Sequence, residues 1–390
     1  MAAAKHLKSL TTIFLDQPPS CLEFCPTAPD YFVVGTYLLT EVESTSGHQT
    51  KTGTLKLFKL DPSSFELENV QSIELSHAVF DLHFSPNNGS IFGIATSAGT
   101  FELYSIDTSN GTPVIALKST IRVHNDPGVP ALYFDWAPKA LTARRDCETL
   151  AFAVSFSDGT VSIFYTNPPE YTISEDSLSK VSFSGSLSEI WDVKLTASSD
   201  EAPVLYFGDD FSTLRTIEFD ADGELTDEEF PNKIKEFSDK GKLHGAGVTA
   251  ILPLFNERGG TTLLTGSYDE YIRVYRYQGR GTVLAEKCLG GGVWRLKLLD
   301  TETASSTGDI CYLVLASCMH AGARILRIRR RLSDPEDVEG FWSIEVLAEF
   351  SEHESMNYAS DMWRGGGGPE SGMLCVSSSF YDKRLCVWKL

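Results

Sequence analysis

The chain has 390 residues, 42% hydrophobic and 11% aromatic, with eight cysteines and a formal charge of −20. That charge repels nucleic acid, whose binders draw most of their affinity from phosphate contacts, and it favours a basic or cationic partner. No run reaches the ~18 uninterrupted apolar residues of a membrane span, and the N-terminus lacks the basic segment and apolar run of a secretory signal; a cytoplasmic protein without membrane or direct nucleic-acid contact is expected.

In chain order, the first predicted strand, Leu10–Leu15, stands alone. From Cys21 onward one unit recurs. It has a short apolar strand, an alternating strand ending in a small residue, a tight turn often carrying Asp, and another alternating strand ending in an aromatic. The short strands are expected at Cys21–Cys25, Val79–Phe84, Ala131–Trp136, Ile190–Leu195, Val248–Leu254, Val293–Leu298 and Tyr358–Trp363. The hairpins that follow them are Phe32–Tyr37 with Gly53–Phe58, then Ile91–Tyr104, Ala151–Phe164, Val204–Ile217, Leu263–Tyr275, Leu313–Leu326 and Val376–Trp388.

A repeated unit that cannot bury its own faces must stack on its neighbours, which predicts an all-β, seven-bladed β-propeller of the WD-repeat type. The spacing is longer than the usual repeat of about 40–45 residues. The excess falls in polar connections read as loops: Glu41–Thr52, Asp220–Lys242, Asp300–Asp309 and Arg329–Glu339, with Gly365–Gly368 a flexible insertion. The last unit lacks a fourth strand, so the orphan Leu10–Leu15 is expected to complete it and cover its edge. The whole chain, 1–390, then forms a single domain, with blades near 17–60, 78–106, 119–165, 189–219, 244–277, 283–328 and 344–390 plus strand 10–15. A closed ring needs no second copy to bury its edges, so a monomer is expected. The alternative is a β-sandwich, which also spaces short strands evenly.

The cysteines form no CxxC pair and mostly sit in apolar runs, as small buried hydrophobes do in a reducing compartment; no metal site or cofactor is expected. Turn aspartates in such blades accept hydrogen bonds from a histidine in the loop before the blade. Asp269 with His244, Asp382 with His353 and Asp158 with His124 fit that structural role. The sixth blade carries His320 at the aspartate position, which frees it for other work.

Trp191, Trp294 and Tyr358 share one register at the start of their inner strands, where the fifth blade has Thr249. Inner strands converge on the central channel, so three rings are expected around its mouth, with Asp209, Asp210, Tyr268, Arg295 and His320 nearby. The competing reading packs these rings between blades. No Gly-x-Ser-x-Gly elbow, phosphate-binding loop or His-Glu-x-x-His motif is present.

The segments His244-Gly245-x-Gly247-Val248-Thr249, Gly266-Ser267-Tyr268-Asp269-Glu270, Gly291-Gly292-Val293-Trp294-Arg295, Cys318-Met319-His320-x-Gly322, Tyr358-Ala359-Ser360-Asp361 and Phe380-Tyr381-Asp382 resemble the diphthine methylesterase family of the diphthamide pathway. Glu23-Phe24-Cys25-Pro26 and Gly35-Thr36-Tyr37 are similar too, and the likeness is strongest from about residue 189 onward. Departures lie in the long loops and at Phe211. The resemblance implies hydrolysis of the methyl ester of diphthine, a modified histidine on translation elongation factor two, which is then the protein partner.

Diphthine carries a quaternary ammonium. Trp191, Trp294, Tyr358 and Tyr268, with Asp209 and Asp210, are the expected substrate-binding groups through cation–π and charge attraction. Ester hydrolysis needs a base for water and a donor for the oxyanion. His320 is assigned as base, Arg295 as oxyanion or carboxylate partner and Asp361 as orienting acid. A noncatalytic adaptor, or a subunit of a ubiquitin ligase or chromatin complex, is the alternative, because fold alone gives no chemistry.

Overall fold

Strands that have partners on both edges and a neighbouring sheet on each face need no polar alternation. Ile91–Thr96, Leu150–Phe156, Pro203–Asp209 and Leu374–Ser379 accordingly run as apolar and small residues buried at every position. Outer strands face water, and Val114–Arg122 alternates buried with exposed residues over much of its length. The computed structural model describes residues 4–41, 49–109, 111–138, 150–168, 171, 188–198, 202–220, 233–239, 241–257, 260–278, 280–304, 307–332, 340–366 and 372–390.

Those strands assemble into seven blades of a β-propeller, with no helix among the described residues. Their inner strands, in order, are Pro19–Phe24, Val79–Phe84, Ala131–Trp136, Ile190–Ala197, Val248–Glu257, Arg295–Thr303 and Ser360–Met362. Each blade grows outward in antiparallel order from its inner strand. The core is divided among the blade interfaces rather than gathered in one place. Seven apolar clusters each join two neighbouring blades, and one of them packs Leu22, Phe32 and Phe58 of blade one on Leu374, Val376 and Leu385 of blade seven, which closes the ring.

Strand pairing also closes the ring, as the repeats predicted. Ser9–Phe14 pairs antiparallel with Arg384–Lys389, from Ser9 opposite Trp388 to Phe14 opposite Arg384. A short strand not foreseen, Lys5–Leu7, lies parallel on Phe341–Phe350 of blade six. One N-terminal segment therefore staples blades six and seven together. All four connections read as loops contain strand residues: 300–303 and 329–331 continue neighbouring strands, and the other two hold further pairings. Leu38–Glu41 pairs with Gln49–Thr52 as a hairpin extending blade one, and Lys233–Ser238 is the outer strand of blade four. Both segments are polar, so their apolar signal was weak. In blade seven the inner strand contracts to Ser360–Met362.

Of the three expected histidine–aspartate pairs, only His124–Asp158 is made, at 3.2 Å. His244 Nε2 instead bonds Thr265 Oγ1 at 2.9 Å, and Asp269 accepts the Gly245 N–H at 2.7 Å and pairs with Arg273 at 2.7 Å. His353 Nε2 bonds Ser377 Oγ at 2.8 Å, the oxygen that also accepts the Trp388 indole N–H, while Asp382 lies 3.3 Å from Arg384 Nε. The reason is local. In blades five and seven an arginine on the following strand takes the turn carboxylate; blade three has Thr160 and Ser162 there, and its histidine keeps the aspartate.

Candidate active site

The mouth of the channel is built from a repeated backbone irregularity. In five blades the pairing of the inner strand skips its second residue: Ser20, Phe80, Leu132, Trp191 and Thr249. A bulge of this kind bends the strand and re-aims the side chain it leaves unpaired. In blades six and seven Trp294 and Tyr358 sit one and two residues ahead of the inner strand.

The Trp191 and Trp294 ring centroids are 5.3 Å apart although blade five lies between their blades, so the two rings meet at the channel end. Trp294 is also 5.0 Å from Tyr358 and 6.0 Å from Tyr268, all within the range of favourable aromatic pairs. At the small Thr249 the hydroxyl is turned to the Val293 carbonyl of the next blade, and the fifth blade's ring comes instead from Tyr268 in its following turn. On the rim, exposed Asp210 accepts the Trp191 indole N–H at 2.9 Å. Burial, with Asp210 and Tyr358 nearby, holds the Tyr268 hydroxyl well above its ordinary range.

Beneath the rings lies Arg295. Its Nη2 reaches Asp81 Oδ2 of blade two at 3.2 Å, a bridge that only a side chain crossing the channel makes. Its Nη1 donates to the carbonyls of Thr249 (3.2 Å) and Trp294 (2.9 Å), and the guanidinium stacks on the rings of Tyr133 (4.5 Å) and Trp294 (4.7 Å). Burial opposes its charge most, but Asp81, Tyr133 and Asp192 together outweigh that and hold the pKa above its usual value.

Further charges fill the channel below. Lys297 pairs with Asp361 at 2.7 Å and Glu23 at 3.6 Å, His83 with Glu23 at 3.0 Å, and Lys194 with Asp135 at 3.1 Å and the Tyr133 hydroxyl. Asp192 Oδ2 accepts the Ile251 N–H at 2.8 Å, while its buried Oδ1 has no hydrogen-bond partner among the described residues. Burial pushes Asp192 up to about 7, against the pull of Lys194 and Arg295.

The structure therefore gathers four of the expected residues, Trp191, Tyr268, Trp294 and Tyr358, into one cage with Arg295 under it and Asp210 on its rim. Asp209 stands apart. It is 2% exposed and caps its own turn, accepting the N–H groups of Phe211 and Thr213. Asp361 accepts the Phe24 N–H at 2.9 Å and so ties blade seven to blade one, as Asp135 ties to Leu195 and Asp192 to Ile251.

His320 is exposed in its turn. The pairing of Ser317 with Ala323 corresponds to that of Gly266 with Ile272, which sets Met319 level with Tyr268 and His320 level with Asp269. No hydrogen bond or ion pair among the described residues joins His320 to Arg295 or Asp361. Sequence reasoning missed Met319, Tyr133, Asp81 and Lys194. For the last two the signal was present: a charge inside an otherwise apolar inner strand.

Such a mouth offers π faces and a carboxylate to a cation, next to a fixed guanidinium that can meet a carbonyl or carboxylate oxygen. No protein-family model matches the chain. It is similar along its length to proteins named diphthine methyltransferase. The Schizosaccharomyces pombe protein is 28% identical over 382 residues, 97% of each chain. The Saccharomyces cerevisiae protein is 24% identical over 418 residues, 95% of each. The human protein is 25% identical over 373 residues, 90% of this chain and 74% of the relative. Together with the motifs in blades four to seven, these comparisons show a chain similar over 90–97% of its residues to proteins named diphthine methyltransferase.

Proposed function

We propose that this protein hydrolyses the methyl ester of diphthine on translation elongation factor two, releasing methanol and leaving a carboxylate ready for amidation. The observation that carries the reading is the cage of Trp191, Tyr268, Trp294 and Tyr358 directly above Arg295. A quaternary ammonium suits the cage, and the ester on the same side chain then lies beside the guanidinium.

In this reading the oxygen of water attacks the ester carbonyl carbon and the carbonyl electron pair moves onto oxygen, facing Arg295. Collapse of the tetrahedral intermediate breaks the bond to the methoxy oxygen, which takes a proton and leaves as methanol. The acid gives up its proton to become a carboxylate. Water is thus the acceptor, although the relatives are named transferases. His320 is the proposed base from the rim and Asp361 the orienting acid, the latter acting through its ion pair with Lys297. The chain acts as a cytoplasmic monomer that meets the factor directly.

The test is mass spectrometry of the methyl-ester-bearing factor after incubation with the purified chain. Loss of one methyl with release of methanol is expected; binding without loss leaves an adaptor. Near-normal turnover by a folded His320→Gln variant removes His320 from the mechanism.

A further inference from the structure

The construction of the cage occurs twice. In blades five and six, the hydroxyl of Thr249 donates to the Val293 carbonyl at 2.5 Å, the Tyr268 N–H donates to the Gly247 carbonyl at 3.0 Å, and Tyr268 meets Trp294. In blades one and two, the hydroxyl of Ser20 donates to the Val79 carbonyl at 2.6 Å, the Tyr37 N–H donates to the Pro18 carbonyl at 2.9 Å, and Tyr37 meets Phe80 at 5.3 Å. The turn sequences match as well, Gly266-Ser267-Tyr268 and Gly35-Thr36-Tyr37. Both glycines are required by close approach. A Cβ on Gly266 would stand 2.5 Å from Val293 Cγ1, and one on Gly35 would stand 2.7 Å from Val79 Cγ1.

The second arc is continuous with the first. Tyr358 of the cage is 5.3 Å from Phe380, Phe380 is 6.1 Å from Tyr37 and 5.0 Å from Tyr381, and Tyr381 is 70% exposed on the rim. One difference sets its preference. The first arc has Asp210 bonded to a ring, whereas two of the second arc's rings are phenylalanines with no donor for a carboxylate and the Tyr37 hydroxyl is hydrogen-bonded to none among the described residues. Tyr37 is held above its ordinary value by burial and by neighbouring Tyr381 alone.

We propose that Tyr37, Phe80, Phe380 and Tyr381 form a second aromatic seat, which takes an uncharged apolar side chain of the polypeptide flanking the modified residue. The inference rests on the proposed substrate being a residue within a protein. A side chain held in the cage brings its main chain to the mouth, and that chain must leave across the part of the ring the cage does not occupy. Blades seven, one and two present the aromatic surface there. This seat gives the enzyme selectivity for the whole factor over a small ester.

The test compares affinities, so it does not depend on turnover. The full chain, with Phe80→Ala and Tyr381→Ala variants, is titrated with the methyl-ester-bearing factor and with a free N,N,N-trimethyl amino-acid methyl ester. Each variant is expected to bind the factor about tenfold more weakly and the small ester within twofold of the parent, as loss of one aromatic contact at an interface implies. Unchanged affinity for the factor overturns the proposal. So does an equal loss for both ligands, which would mean that the variant disturbs the cage. Tyr381→Ala guards against misfolding, because its side chain is mostly in solvent. A parent chain that binds the factor but never demethylates it sinks the hydrolase reading and still decides the seat.

Discussion

Trp294→Ala removes the ring that touches every other member of the cage. One face of that ring carries the Arg295 guanidinium at 4.7 Å, so a cationic ligand must meet the other. A quaternary ammonium over an indole face gains about 0.5–2 kcal/mol beyond contact area, which is roughly 2- to 30-fold in affinity. Truncation also opens space beside Trp191, Tyr268 and Tyr358, so any ligand will bind less well and a bare loss says little. The informative quantity is a ratio. Affinities for a trimethylammonium amino-acid ester and its neutral tert-butyl isostere, measured by calorimetry, isolate the charge-dependent part. The parent should prefer the ammonium, Trp294→Ala should lose that 2- to 30-fold share of the preference, and Trp294→Phe should keep part of it. An unchanged ratio, with both ligands weakened equally, would make Trp294 a wall rather than a cation host.

Two predictions concern the channel. Arg295→Met leaves the Asp81 carboxylate, 5% exposed, without one of its two cationic partners and should cost about 3 kcal/mol in urea denaturation, with much of the loss recovered when Asp81→Asn is added; strictly additive losses would show that the pair is uncoupled. His83 lies 3.0 Å from Glu23 and 3.5 Å from Asp81; burial opposes its charge, yet the carboxylates prevail and push it up to about 9. The folded state thus holds this proton to higher pH than the unfolded chain does, and the stability gained is full below about 6.5 and lost as pH rises through 9. His83→Gln should therefore destabilise the fold more at pH 6 than at pH 10, and equal penalties at the two would refute the assignment.

The fold was legible because its strongest signals repeat. Middle strands such as Ile91–Thr96 and Leu374–Ser379 are buried on all sides, so their apolar runs survive in the sequence. Outer strands such as Lys233–Ser238 answer to water on one face, and nothing in their composition separates them from a polar loop. At the site, the shared register of Trp191, Trp294 and Tyr358 located the cage. What it left open was direction. Asp209 and Asp210 are adjacent in sequence, yet one caps its own turn while the other reaches an indole, and His320 takes the turn position level with Asp269 rather than the one level with Tyr268. Those choices depend on a single backbone step, set by a bulge or by a positive φ such as the 38° at Met319, which residue identity does not encode.

The charges under the cage follow from the same geometry and bear on the chemistry. Glu23, Asp81, Asp135, Asp192 and Asp361 meet His83, Lys194, Arg295 and Lys297, so five acids face four bases, on side chains between 3% and 27% exposed. With all of them ionised the channel carries one unbalanced negative charge, and low dielectric makes that costly. The cost falls on the acid with the least hydrogen bonding. Asp192 has one oxygen without a hydrogen-bond partner, 3.9 Å from Lys194 Nζ, and burial raises its pKa to about 7. When it is protonated, the charges of Arg295 and its neighbours balance and the guanidinium retains more of its field for an oxyanion forming above it. When it is ionised, that field is weaker. The proton on Asp192 therefore tunes the group that the proposed reaction depends on, without touching the substrate.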